Sequence, residues 1–348
     1  MSSPPLFDIR EGEGDPTMQK LLNRLMVSVR KSPFVYVIGL LIVVWLSGKA
    51  RQNPVLFAQF AVDGIRLGFV YALVALGYTM VYGIVRLINF AHGDVFMIGA
   101  FAAYYATTRY HWSFVPTLGL AMVICAFVAV IIERVAYKPL RDAPRISALI
   151  TAVGVSFFLE YFTALPIVFT PNFIAFFPLP IQFKSWEVAG VTVSNIMFVV
   201  IGVGLLCLVA LWYLVYRTKL GKAMRAVAWD KPTARLMGID VDLIITFTFA
   251  LGAALAGIGG MLYVVDYPQL RTFLGVMPGL KSFIAAVFGG IGSIPGAFIG
   301  ALSIGMIETL SQGFLSSTLR DTIVFSILII VLLFKPTGLF GEAAKEKA

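Results

Sequence analysis

Asn89, His92 and Asp94 interrupt a run that is otherwise apolar enough for a bilayer: GFVYALVALGYTMVYGIVRLINFAHGDVFMIGAFAAYYA, Gly68 to Ala106. Arg86 lies in the same interruption, and Gly77, Gly83, Gly93 and Gly99 punctuate it. A plain anchor needs no such break. Polar groups at a break between apolar helices are tolerated only where protein or water satisfies them, as in transport pathways. The residues also suit a solvated turn in which Asn89 or Asp94 caps the next helix. Both readings stand. His92 does not mark a metal site, because the other histidine, His111, lies at the far end of the following span.

Two further segments carry mechanism. In GLKSFIAAVFGGIGSIPGAFIG, Gly279 to Gly300, the glycines Gly289, Gly290, Gly292 and Gly296 surround Ser293 and Pro295. The spacing predicts a tight reversal between two short helices, the second opening near Pro295. It is either a broken helix pair of the kind that lines transporter interiors or a hairpin with no contact to cargo. No lysine follows with phosphate-loop spacing. In RTKLGKAMRAVAWDKPTARLMGID, Arg217 to Asp240, Pro232 fits a first helical position and Gly238 a helix stop. A short helix over 233–237, preceded by a longer one over 221–229, follows. Ala226, Trp229, Ala234, Leu236 and Met237 then place apolar groups on a charged surface, which is the pattern of a docking face. Asp63 and Arg66, three apart, pair along one helix face.

The elements that position these segments follow from composition. The chain has 348 residues, 59% hydrophobic and 13% charged, with a mean hydropathy of +0.90. A soluble domain carries about 25% charged residues, so this is a polytopic membrane protein. The net charge of +9 sits in short loops beside apolar runs, which reads as the positive-inside rule and not as nucleic-acid binding. Cys125 and Cys207 fall inside apolar segments and form neither a disulfide framework nor a metal spacing. The polar, acidic start of the chain is not expected to act as a cleavable signal.

A span needs about 20 residues. Ten candidates are read at 34–47, 58–83, 90–108, 114–134, 147–170, 192–216, 243–265, 279–291, 295–312 and 319–334. The first and eighth are short. Basic loops at Arg134 to Arg145 and Arg217 to Arg235 are expected to be cytoplasmic, and with ten crossings so are both termini. The expected fold is all-α: a cytoplasmic tail over 1–33, a transmembrane domain over 34–336 with a cytoplasmic loop over 217–242, and a cytoplasmic tail over 337–348. Small residues repeating every four positions, Gly252, Ala256 and Gly260, then Gly296 and Gly300, predict close helix crossings. Gly12-Glu13-Gly14-Asp15 mimics an intramembrane aspartyl protease motif but has no apolar span around it, and no other enzymatic motif is present.

Four stretches together resemble the permease subunits of branched-chain amino-acid ABC importers, of the LivH type: YALVALGYTMVYGIVRLINFAHGDVFMIGA (Tyr71–Ala100), AVAWDKPTARLMGID (Ala226–Asp240), FTFALGAALAGIGGMLY (Phe247–Tyr263) and FIAAVFGGIGSIPGAFIGAL (Phe283–Leu302). The resemblance runs from Gln59 to Gly338, and the first 50 residues depart from it. It implies a bacterial inner-membrane importer subunit without cofactor or metal of its own. ATP is used by two cytoplasmic ATPase subunits, a second LivM-like permease subunit pairs with this one, and an external binding protein delivers the amino acid. It also implies that Asp230, Lys231, Ala234, Arg235, Leu236, Met237 and Gly238 form the segment that couples to the ATPase. The candidate pathway residues are then Asn89, His92, Gly93 and Asp94 with Gly289, Gly290, Gly292, Ser293, Pro295 and Gly296. A urea or short-amide importer of the same superfamily, and a self-sufficient channel or secondary carrier, are the alternatives.

Overall fold

The computed structural model describes residues 47–341, apart from Arg86, Ile88, Asp142, residues 170–173, Pro336 and the side chain of Arg145. The expected N-terminal tail, nearly all of the first span, Arg86 and the last seven residues lie outside the described residues. The fold below is that of the unit Pro54–Ala348.

That unit is built of helices. They are α1 (Pro54–Val85), α2 (His92–Tyr110), α3 (Phe114–Ile132), α4 (Arg145–Thr163), α5 (Asn195–Arg217), α6 (Lys219–Trp229), α7 (Lys231–Leu236), α8 (Val241–Asp266), α9 (Val276–Gly289), α10 (Ile294–Phe314) and α11 (Leu319–Phe334). A widened π-helical turn, Glu133–Tyr137, carries α3 on to Leu140. Two small antiparallel sheets lie among the connections, which an all-helical expectation did not include. Strand β1 (Ile174–Phe176) pairs with β4 (Gln269–Arg271), and β2 (Ser185–Val188) with β3 (Val191–Ser194). The second pair is a hairpin turned by Ala189 and Gly190, both at positive φ, the conformation that a two-residue turn needs to match strand twist.

Among the described residues, six helices are long and apolar enough to cross a membrane: α1, α3, α4, α5, α8 and α10. Three other expected spans differ in length or polarity. Helix α2 has 19 residues but opens on His92 and Asp94 and closes on Arg109. Helix α9 has only 14 residues, about 21 Å of rise against a hydrocarbon core of about 30 Å. Helix α11 has 16 residues.

Burial separates centre from periphery. The most apolar window of α1 is 89% buried inside the protein, whereas those of α3, α4 and α5 are 28% buried. Beyond Arg66, helix α1 is apolar on nearly all sides, as a helix enclosed by others must be. It packs along α10 and α8, and also touches α9, α5 and α6. Small residues set the closest crossings. A Cβ placed on Gly99 would stand 2.6 Å from the Cα of Gly257, and one on Gly257 would stand 2.6 Å from the Ala121 carbonyl oxygen. Helices α2, α3 and α8 therefore meet backbone to backbone, the contact that replaces hydrophobic drive in lipid.

Charge pins the other side of α1. Lys281 of α9 and Glu308 of α10, each 3% exposed, are 2.6 Å apart. Lys281 also reaches Asp321 at 2.7 Å, Arg320 reaches Glu308 at 3.4 Å, and the Tyr71 hydroxyl donates to Glu308 at 2.9 Å. The cluster ties α1, α9, α10 and α11 together. The expected Asp63–Arg66 pair forms at 3.1 Å, and Arg66 additionally meets the buried Asp266 at 3.0 Å.

Two outcomes test this packing. Gly257→Val should lower stability in detergent by about 1–3 kcal/mol through overpacking. Gly202→Val, at a helix face with open space around it, should stay within about 0.5 kcal/mol; thermal melting distinguishes them. Lys281→Met strands a buried carboxylate and should cost about 3–5 kcal/mol, with Lys281→Met/Glu308→Leu recovering part of that loss in the same measurement.

Candidate functional site

The interruption after α1 lies inside the bundle. Helix α1 ends at Val85, and the chain turns through Asn89–Ala91 with the His92 amide donating to the Asn89 carbonyl at 3.2 Å. Helix α2 then starts beside the interior of α1. The His92 ring stacks edge-on against Tyr78 at 4.6 Å and fills the space left by the missing side chain of Gly77. Gly77 precedes Val85 by eight residues, about 12 Å of helix rise. No side chain caps α2, whose N-cap is Ala91. Asn89 instead accepts a 2.7 Å hydrogen bond from the Tyr137 hydroxyl, on the π-helical turn after α3.

Gly93 opens α2 against α9. A Cβ there would stand 2.8 Å from the Gly275 carbonyl oxygen and 2.9 Å from the Gly279 Cα. Asp94, 2% exposed, accepts from the Ser156 hydroxyl of α4 through Oδ2. Its Oδ1 is buried without a hydrogen-bond partner.

The second break closes on the first. Helix α9 stops at Gly289, and the chain passes Gly290 and Gly292, both at positive φ. Ser293 then caps α10, accepting the Gly296 amide at 3.2 Å, with Pro295 in the first turn. Tyr78, Tyr82, Asn89 and His92 share one small gap with Phe283 and Ile291. The segment after α11 folds back onto this reversal, its Leu339 and Phe340 amides donating to Phe288 and Gly289 at 2.8 and 2.9 Å.

The basic segment joins them at the same end of α1. Thr218 caps α6 and Asp230 caps α7, accepting the Gly221 and Thr233 amides at 3.1 and 3.2 Å. Pro232 lies in the first turn of α7, and Gly238 leaves it at positive φ. Met224, Val227 and Ala234 turn inward and are buried, so Ala234 supports the pair from beneath. Trp229, Leu236 and Met237 are 75%, 87% and 77% exposed. Lys231 Nζ donates to the carbonyl of Val85, the last residue of α1, at 3.4 Å. A cation satisfies an open helix carbonyl well there. A cleft of ≈ 120 Å³ is lined at once by Gly83 and Ile84 of α1, Met224 and Ala228 of α6, and Gly292 and Ile294 at the second break. Arg235, 66% exposed, stands 3.6 Å from Asp242, which also binds Lys138 at 2.9 Å and Arg141.

The structure thus brings the two breaks and the α6–α7 pair to one end of the central helix. Sequence reasoning missed Ser156 and Glu160 on α4, which face Asp94, and the Lys281–Glu308 cluster. A signal existed for the latter, since each is an ionisable residue inside an apolar stretch. Glu133, fully buried, also escaped; it accepts from Arg141 and from Thr246. Among the described residues no cluster of His, Cys, Asp and Glu could hold a metal ion.

Residues 60–333 match the family model described as branched-chain amino acid transport system / permease component. The high-affinity branched-chain amino acid transport system permease protein LivH of Escherichia coli K12 is 40% identical over 306 residues, which are 84% of this chain and 97% of the relative. The corresponding protein BraD of Pseudomonas aeruginosa is 38% identical over 309 residues, 84% of this chain and 98% of the relative. A probable branched-chain amino acid transport permease protein LivH of Methanocaldococcus jannaschii is 29% identical over 285 residues, 79% and 89% of the two chains. With the match extending over both breaks and the basic segment between them, the chain belongs to the family of branched-chain amino acid transport permeases.

Proposed function

We propose that this chain is the membrane-spanning permease subunit of an ATP-driven importer of branched-chain amino acids in the bacterial inner membrane. The reading gives it ten crossings with both termini in the cytoplasm, which places the α6–α7 pair on the cytoplasmic side. The family's importers work with ATPase subunits and a binding protein. In our reading these are two cytoplasmic ATPases, which use the ATP, an external amino-acid-binding protein, and a second, LivM-like permease subunit.

The observation that carries the reading is the Lys231–Val85 hydrogen bond. It links the segment with the exposed apolar face to the residue at which α1 breaks. An ATPase seated on Trp229, Leu236 and Met237 therefore acts on the break through a short, well-packed path. Asp230 and Gly238 fix the ends of α7, Ala234 seats it, and Arg235 joins its far end to Asp242. Closure of the ATPases displaces α6–α7, and the break at Asn89–Asp94 and the glycine reversal at Gly289–Gly296 move with them, changing access along the bundle. A hydrophobic substrate crosses on the apolar walls the helices already present.

Leu236→Asp puts a charge at the centre of the docking face. It should weaken coupling by about 2 kcal/mol or more, some thirtyfold in leucine uptake by the complete system, with membrane insertion and thermal stability unchanged. Uptake at the wild-type rate in that variant would contradict the proposal.

A further inference from the structure

Beside the opening of α2 lies a cleft of ≈ 250 Å³, roughly eight times the volume share of a liquid water. Its polar side chains are Tyr78, Asp94, Ser156 and Glu160; its apolar walls include Phe90, Phe157 and Leu280. Ser156 and Glu160 are four apart on α4 and so present to the cleft from one helix face. Asp94 is 98% buried by its 2% exposure, and Oδ1 has no donor, whereas Oδ2 takes the Ser156 hydroxyl. A buried acceptor without a donor is destabilising, so this oxygen, which shares the cleft with the Glu160 carboxyl, is open to a donor that a ligand would bring. Glu160 is a second buried carboxyl in the same cleft.

Position adds to chemistry. Ser156 stands eleven residues into α4, about 16 Å along a helix that crosses a core of about 30 Å. Transporter sites gather near the midplane, where a discontinuous helix opens, and α2 opens here at Gly93, pressed against α9.

We propose that this cleft is a transit site for the substrate amino acid, which receives its α-ammonium between Asp94 and Glu160 and its aliphatic side chain against Phe90, Phe157 and Leu280. The inference rests on the substrate class proposed above. An ammonium brings three donors, one for the orphan Oδ1 and others for Glu160. Phe157 stands at the mouth, 55% exposed, and a shorter wall there admits reagent without touching the carboxyls.

Phe157→Cys in membranes carrying the complete import system supplies the test. The native Cys125 and Cys207 are buried, and their labelling in the wild type is subtracted. N-ethylmaleimide labelling of the new thiol should slow about fivefold at four times the half-saturating leucine concentration. It should not slow with 4-methylpentanoate, which keeps the carbon chain and lacks the ammonium. Adding Asp94→Asn should abolish the slowing by leucine; if that variant does not fold by thermal melting, Glu160→Gln replaces it with the same expectation. Equal slowing by both compounds, slowing that survives both carboxyl variants, or slowing produced by sodium in place of leucine would overturn the site. Leucine uptake by wild-type cells separates the two levels: no uptake defeats the substrate class, whereas uptake without protection of the thiol defeats only the cleft.

Discussion

A backbone amide or carbonyl left without a partner in hydrocarbon costs several kcal/mol, and that constraint organises the whole bundle. A chain that breaks a helix at membrane depth must wrap the break in protein. Helix α1 is accordingly the most enclosed element, with α10, α8 and α9 along it. The turn after it is closed by its own backbone bond from His92 to Asn89 and by the Tyr137 hydroxyl. The side chains that make room are as telling as those that bond. His92 occupies the volume Gly77 leaves empty, and Gly93 lets α2 begin directly against α9.

The same enclosure gives the breaks mechanical neighbours. The α6–α7 pair buries Met224, Val227 and Ala234 and holds Trp229, Leu236 and Met237 outward. One side chain, Lys231, spans from it to the end of α1. The glycine reversal between α9 and α10 borders the same cleft. In the proposed coupling, a displacement of α7 would meet both breaks within one layer of side chains. The far part of the bundle is built the opposite way. There Lys281, Glu308, Arg320 and Asp321 form a saturated charge cluster that holds α9, α10 and α11 to α1. Lys281 and Glu308 are its buried members, and removing either costs the other a close partner, which suits a fixed support better than a hinge.

Much of this was legible in the sequence because the signals were local. Pro232 and Gly238 bounded α7, Ser293 and Pro295 opened α10, and the four-residue spacing of Gly252, Ala256 and Gly260 lay on a helix that meets its neighbours closely. Exposure at Trp229, Leu236 and Met237 followed from their place on a charged loop, while Ala234 turned inward because a six-residue helix must seat one face. The partners of Asp94 were not legible. Ser156 and Glu160 lie more than 60 residues away, on a helix whose rotation only packing decides. Nor could spacing reveal that α2 starts beside Gly77, since that depends on how far the turn folds back.

The central claim is that α7 and the end of α1 move as one body. A short bifunctional thiol reagent bridging Val85→Cys and Lys231→Cys, applied to the complete system, tests it most directly through leucine uptake. Lys231→Cys removes the hydrogen bond to Val85, so the unbridged variant should take up leucine slowly; if the two segments travel together, the bridge replaces that link and uptake rises. If bridging stops uptake and cleavage of the bridge restores it, they must separate during the cycle, and the account is wrong.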